Sequence, residues 1–292
     1  MRALDTYNPI SVALYYLAVA GIAMFCMHPV LLTLSLCGAL ILCLLHRDVQ
    51  SARTHLYFWA ILTLSALLNP LLSHNGATVL LVIGDAPFTA EALFWGLTSG
   101  LAIVAVLYWF CSFRAIMQSD KLLYLFGKLS PRLSLILSMG LRYVSLFAEQ
   151  AKKIKQTQIA LGLYKEDNVI DRMRGGLRIF SILLSWALEN GIVTAGSMAS
   201  RGYGTGKRTH FSIFSFSWRD ALLISLSLLL TAGTLIPYAL GAVTFTFYPV
   251  LHLHSAGALS HLCYVSYGAL VALPILIEIK DTVKWKYLTS KI

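Results

Sequence analysis

Apolar and polar positions divide this chain into three blocks of different rhythm. Residues 10–27, 29–45, 56–72 and 90–113 form runs with almost no charged position. Residues 114–219 instead mix apolar residues, at spacings of three and four, with basic and polar ones. Residues 221–240 and 259–279 return to largely apolar sequence, with Glu278 the one Asp, Glu, Lys or Arg in them. A helix needs about 20 apolar residues to cross a hydrocarbon layer of about 30 Å. The pattern therefore predicts an all-α polytopic membrane protein with about six transmembrane helices and an amphipathic helical insert in its middle. Its blocks are 1–113 (four spans), 114–219 (the insert) and 220–292 (a two-span hairpin with a basic tail).

The connections are read from their breakers. His28-Pro29 predicts a tight hairpin, with the proline opening the second helix. Asn69-Pro70 predicts a kink or stop at the end of the third. Ser73-His74-Asn75-Gly76 and Gly84-Asp85-Ala86-Pro87 are turn signals around residues 78–83, a run too short to span, which reads as an extended piece or re-entrant flap. Phe245, Phe247 and Tyr248 make the 241–258 loop aromatic and are expected at the membrane interface. Glu91 and Glu278 fall at span ends, where they are expected to reach water.

Three helices are expected inside the insert. Ser119 or Asp120 caps a short one with Leu122, Leu123, Phe126 and Leu129 on one face. Ser130-Pro131 opens a second, carrying Leu133, Leu137, Gly140, Leu141, Val144 and Ala148 before it turns polar and ends at Gly162. After a bend with Glu166, Asp167 and Asp171, a third carries Leu177, Phe180, Leu184, Leu188, Ile192 and Ala195 to Gly202. Residues 179–188 are apolar enough to compete for a place in the bilayer. Arg172, Arg174, Arg178, Glu189 and Asn190 argue against a full crossing, because charge in lipid costs a few kcal/mol per residue. A long helix pair on the inner membrane surface fits better.

Composition strengthens the membrane reading: 58% of residues are hydrophobic and 12% charged, against about 25% charged in soluble domains. The formal charge of +10 raises nucleic acid as a partner, and its placement removes it. With the N-terminus inside, Arg2, Arg47, Arg53, the insert, Lys280, Lys284, Lys286 and Lys291 fall on one side, and the three opposite loops contain no Lys or Arg. That is the positive-inside distribution, so both termini are expected in the cytoplasm. The N-terminus shows no leader cleavage pattern. Cys26, Cys37, Cys43, Cys111 and Cys263 lie in apolar runs without a CxxC pair, as buried thiols rather than disulfides or zinc ligands.

Two helix ends carry the functional signal. Ala160-Leu161-Gly162 and Ser200-Arg201-Gly202 each finish a long amphipathic helix with glycine. Taken singly, an arginine there is a dipole-matched cap. Together with Ser130-Pro131-Arg132-Leu133, Gly140-Leu141-Arg142-Tyr143, and Asn69-Pro70 through Gly76, their order resembles the transmembrane T component of energy-coupling factor (ECF) transporters, the EcfT/CbiQ-like family. That family carries Ala-Arg-Gly at the ends of two coupling helices. Here Ser replaces Ala in the second motif, and Leu161 replaces the arginine in the first.

The resemblance implies a non-catalytic scaffold of an ATP-driven importer in a bacterial cell membrane, taking up a micronutrient such as a vitamin or metal. It implies two cytoplasmic ABC ATPase subunits, a homodimer or heterodimer, docked at Ser200, Arg201, Gly202, Ala160, Leu161 and Gly162. It also implies one small membrane-embedded substrate-capture (S) subunit held by Leu122, Phe126, Leu137, Gly140, Leu141, Val144, Leu184, Leu188 and Ile192. ATP and Mg would be bound by the ATPases, and no cofactor or metal by this chain. The residue chemistry agrees: arginine offers a planar multi-donor fork, and small residues such as Gly140, Ala148, Ala195 and Gly196 suit helix packing in lipid.

Other chemistry is poorly supported. Residues 202–207 suggest a phosphate loop, but the Walker pattern fails where Arg201 and Arg208 stand. His252, His254 and His261 lie near the outer face without an accompanying carboxylate or thiol. An intramembrane enzyme using these histidines and Asp85, or a stand-alone secondary carrier, are the rival readings. Neither accounts for the long basic insert.

Overall fold

The computed structural model describes all residues except 1–2, 46–51, 74–75, 84–85, 164–168, 207–213, 256 and 290–292. Among the described residues the chain is built from α1 (Pro9–Phe25), α2 (Pro29–Leu45), α3 (Ala52–Leu72), α4 (Ala90–Ile116), α5 (Ser119–Leu129), α6 (Pro131–Ala160), α7 (Val169–Ser200), α8 (Trp218–Ala239) and α9 (Gly257–Thr289). Two small hairpins interrupt them. β1 (Val79–Ile83) pairs antiparallel with β2 (Ala86–Thr89), and β3 (Val243–Thr246) with β4 (His252–Ser255). The six expected spans all emerge as helices in a multi-pass membrane protein. α3, α4, α8 and α9 are long and apolar enough to cross a membrane, as is α7 by length and composition, while α1 and α2 are apolar helices of 17 residues.

Helix starts follow the local chemistry. Asn8 caps α1, its side chain accepting from the Ile10 N–H at 3.1 Å, and Pro29 opens α2 as expected. Ser130 precedes α6, with Pro131 in its first turn. Three expectations shift. Ser119 is the first residue of α5 rather than its cap, and the Gln118 carbonyl accepts from Lys121 and Leu122. Asp171 belongs to the first turn of α7, where its charge matches the helix dipole. Pro70 does not stop α3, which runs two residues beyond it.

The chain divides into two compact units, Met1–Leu122 with Phe214–Ile292, and Leu123–Ile213. In the first, α2 packs on α4 and α9, α1 on α4 and α8, α3 on α4, and α8 on α9. Val19, Leu32, Ala39, Leu42, Ala105, Tyr108 and Tyr267 are fully enclosed there. Polar pins cross this apolar interior, where helix association depends on close packing and interhelical hydrogen bonds. Trp109 Nε1 donates to Ser35 Oγ at 2.9 Å, Tyr15 Oη to the Leu270 carbonyl at 3.0 Å, and Tyr16 and Ser112 share a bond at 2.8 Å. Between α3 and α4 the backbones nearly touch: a Cβ on Gly96 would lie 2.8 Å from the Ser65 carbonyl oxygen, and one on Gly100 3.2 Å from that of Leu62. Ser65 Oγ uses this proximity to donate to the Gly96 carbonyl at 3.1 Å.

One end of this unit gathers the starts of α1 and α8 and the departure of α5. Lys121 Nζ pairs with Asp5 at 2.9 Å. The buried Asp220 carboxylate accepts from the Asn8 N–H at 2.7 Å and from the N–H and hydroxyl of Ser217, both at 2.8 Å. Residues 122 and 217 therefore stand at the same end of the bundle. A single membrane crossing between them, the competing reading for α7, is incompatible with that placement.

The opposite end is more closed than the sequence suggests. Residues 79–83 are extended, as expected, but Glu91 is buried rather than facing water. Its carboxylate accepts the Thr78 N–H at 3.1 and 3.3 Å and so fastens the β1–β2 hairpin to the start of α4. Glu278, near the other end of α9, is also buried. The aromatic loop is a hairpin, in which strand alternation turns Val243 and Phe245 inward and leaves Thr244 and Thr246 exposed, with Phe247 buried just beyond β3. Phe247 meets Trp95 edge-on at 4.9 Å, and Phe245 meets the enclosed His28 at 6.0 Å. Asp85 lies outside the described residues. His252 and His254 stand opposite Thr246 and Thr244 in the ladder, and His261 is in the first turns of α9.

Candidate docking ends and coupling helices

The second unit is dominated by α6 and α7, of 30 and 32 residues. They run antiparallel, as their contacts show. Tyr143 Oη and Thr194 Oγ1 lie 3.3 Å apart, the Phe147 ring meets Trp186 at 5.9 Å, and Arg178 Nη1 donates to the Leu163 carbonyl at 3.2 Å. Partners thus descend along α7 as they ascend along α6. Tyr143 also stacks on Phe147 at 5.6 Å, so an aromatic group marks the crossing. On the surface of α6, Glu149 pairs with Lys153 at 2.8 Å, and that bond together with the lysine charge holds the carboxyl below its ordinary range.

Both helices end in the same way. At the end of α6, the Gly162 N–H donates to the Ile159 carbonyl at 3.0 Å, and the Leu163 N–H reaches back to Gln158 at 2.9 Å. At the end of α7, Gly202 donates to Ala199 at 3.0 Å and Tyr203 to Met198 at 3.0 Å. This pair of bonds is the Schellman motif, which requires a left-handed residue just past the helix. Gly162 and Gly202 supply it, with φ of +68° and +80°. An L-residue would be strained there by about 1–2 kcal/mol.

Leu161 and Arg201 therefore hold equivalent positions, immediately before the left-handed glycine. Both face solvent, Leu161 at 66% exposure. Ala160 and Ser200 close the helices beside them, also exposed, with the Ser200 hydroxyl turned back onto the Ser197 carbonyl at 2.9 Å. In an antiparallel pair these ends point in opposite directions. Measured from the Tyr143–Thr194 and Phe147–Trp186 contacts at 1.5 Å per residue, they are separated by at most roughly 40 Å.

The expected capture face is exposed apolar surface. Leu137, Leu141 and Val144 on α6 and Leu184, Leu188 and Ile192 on α7 are 39% to 73% exposed. Gly140 and Gly196 have open space where a side chain would stand. Along α7 no residue of its most apolar window is buried within the chain. Phe126 on α5 is exposed and belongs to the same unit, while half-buried Leu122 is the last residue of the first segment of the membrane unit. So much exposed apolar area on one helix marks an interaction surface with membrane or protein.

Several features of this region were not among the sequence expectations. The matching cap geometry depends on backbone angles, which glycine permits but does not dictate. Arg178 and the Tyr143–Phe147–Trp186 group are recognisable only once the helices are antiparallel. Lys207 and Arg208 of the failed Walker segment lie outside the described residues. Gly202 and Gly204 before them form tight turns with positive φ.

Residues 8–213 match the family described as cobalt transport protein, CbiQ. A stretch of 106 residues, 36% of this chain, is 30% identical to the energy-coupling factor transporter transmembrane protein EcfT 1 of Listeria monocytogenes serotype 1/2a (strain 08-5578). The match takes in 40% of that relative's length.

Proposed function

Because the chain belongs to the cobalt transport protein (CbiQ) family, we propose that it is the transmembrane coupling subunit of an ECF-type importer. In this reading the chain carries no catalytic step. It binds two cytoplasmic ABC ATPase subunits, which hold ATP and Mg, and one small membrane-embedded S subunit that captures a micronutrient, a vitamin or a transition metal. The insert and both termini face the cytoplasm, as the placement of Lys and Arg supports.

The observation that carries the proposal is the pair of equivalent exposed helix ends, pointing apart on two antiparallel helices. One rigid element with two outward tips suits a partner of two subunits, with one tip seated in a groove of each. Ser200, Arg201 and Gly202 form one docking end, and Ala160, Leu161 and Gly162 the other. Arg201 brings a planar donor fork for carboxylates or carbonyls, whereas Leu161 brings apolar area. Along the two helices, Leu137, Gly140, Leu141, Val144, Leu184, Leu188 and Ile192 provide the surface on which the S subunit packs, with small residues allowing close approach, and Leu122 and Phe126 are further contacts in this reading. When the ATPases close on ATP, the tips move and the helices tilt the bound S subunit toward release inside.

Affinity purification of the full chain in mild detergent tests this reading. Two ATPase subunits, identical or paired, co-purify with the wild-type chain, and Arg201→Glu removes at least one of them. A chain that purifies alone and takes up solute in liposomes without ATP would be a secondary carrier, and the proposal would fail. Turnover of a substrate by the isolated chain, lost on His252→Ala, would equally reject it in favour of an enzyme.

A further inference from the structure

At the end of the membrane unit where Asp5 meets Lys121, a cavity of about 380 Å³ opens between the N-terminal segment, the first turns of α8 and the end of α9. Arg219, Lys280 and Lys284 line it, opposed by one carboxylate, Asp281. Lys280 and Lys284 are one helical turn apart and share a face of α9. Neighbouring Asp220, whose oxygens accept from Asn8 and Ser217, keeps its charge but forms no ion pair with them. Among the described residues no ion pair engages the three cations; the two pairs formed are Asp5–Lys121 and Glu149–Lys153.

The rest of the lining is amphipathic. Trp218, the first residue of α8, is 81% exposed, and Tyr7 also lines the cavity. Leu222 continues the wall, and Leu229 and Ile236 repeat along the same exposed side of α8 at seven-residue spacing. Clustered cations beside an interfacial indole, at the head of a lipid-facing apolar stripe, match a phosphate group that carries acyl chains. A soluble phosphate would use the cations and leave Trp218 and the stripe without a role.

We propose that this cavity binds the phosphate headgroup of an anionic glycerophospholipid, with Arg219, Lys280 and Lys284 holding the phosphate and the acyl chains lying along Leu222 and Leu229. The site is separate from the docking ends and does not depend on the transport reading. An anionic lipid held there bridges the start of α8 to the end of α9, the final hairpin of the membrane unit.

Native mass spectrometry of the full chain, released from phosphatidylcholine nanodiscs doped with phosphatidylglycerol, tests the proposal. The wild-type chain retains phosphatidylglycerol over phosphatidylcholine by about tenfold relative to their bilayer ratio. Arg219→Gln/Lys280→Gln/Lys284→Gln brings retention to parity. Lys280→Gln/Lys284→Gln, which leaves the start of α8 intact, lowers it severalfold, so a misfolded helix start does not explain the loss. The charge-matched Lys152→Gln/Lys153→Gln on α6 keeps the enrichment. Equal retention of the two lipids by wild type, or enrichment that survives both site variants, overturns the proposal. So does release of the lipid by excess inorganic phosphate with phosphate bound in its place, which would assign the cavity to a free anion.

Discussion

Leu161 and Arg201 occupy the same position on two helices: each precedes a left-handed glycine, and each donates its backbone N–H four residues back, to Thr157 at 3.0 Å and to Ser197 at 3.3 Å. The backbone has made two equal mounts and the sequence has fitted them with unequal side chains. If each mount docks one ATPase, the loss on truncation should be unequal too. Arg201→Ala is expected to lower ATP-driven uptake in proteoliposomes roughly tenfold or more, as removal of a central interface arginine does. Leu161→Ala is expected to keep most of the activity. Equal losses in the two variants would remove the asymmetry, and no loss in either would leave the caps as plain helix stops.

Asp220 predicts a stability effect. Its buried carboxylate holds three donors from Asn8 and Ser217, and Asp220→Ala would leave the Asn8 N–H buried without that acceptor. Such a loss costs about 1–3 kcal/mol. Thermal unfolding in detergent should fall by about 2–4 °C for each kcal/mol. An unchanged transition would mean that water replaces the carboxylate and the clasp contributes nothing.

Gly96 and Gly140 separate packing from partner binding. A Cβ at Gly96 meets the Ser65 carbonyl oxygen at 2.8 Å and Asn69 Cβ at 2.7 Å, whereas one at Gly140 meets nothing within 4 Å. Gly96→Ala is expected to force α3 from α4 and destabilise the chain by about 1–3 kcal/mol. Gly140→Ala should leave unfolding of the isolated chain unharmed; if an S subunit packs there as proposed, the deficit should appear as weaker retention of that subunit. The comparison is read from melting curves of the chain with and without that subunit.

His28 predicts an acid response. It is enclosed in the turn between α1 and α2, with Nε2 3.4 Å from Tyr264 Oη and Nδ1 without a hydrogen-bond partner among the described residues. Burial lowers its pKa. Below the ordinary histidine range, near about 6.5, the unfolded chain then takes up a proton before the folded one does. Stability is full above that range and declines as pH falls toward the lowered folded value. Melting followed from pH 7.5 to 5 should show this decline, and His28→Gln should flatten part of it. An identical pH profile in the variant would assign the acid sensitivity to other groups.

The spans were legible because each is a near-continuous apolar run. The helix ends were legible because glycine marks both. What escaped was set by contacts between segments far apart in sequence. Glu91 reads as a span-end charge until Thr78 folds over it. The partners of Phe245 and Phe247, His28 and Trp95, appear only once β3 pairs with β4. Gly96 and Gly100 stand at a spacing known for close helix approach, a signal present in the sequence and not taken up. The equivalence of Leu161 and Arg201 needed backbone bonds, since one motif in sequence shows an arginine and the other does not.

The return of the chain to its point of departure, fixed by Asp5 with Lys121 and by Asn8 with Asp220, has an evolutionary consequence. Material added to or removed from residues 123–213 does not change which way α8 and α9 thread the bilayer. If that arm meets ATPases and a capture subunit as proposed, it can be lengthened, shortened or refitted without moving the start of α8 away from the start of α1. Changes in the arm then leave the threading of the final hairpin as it is.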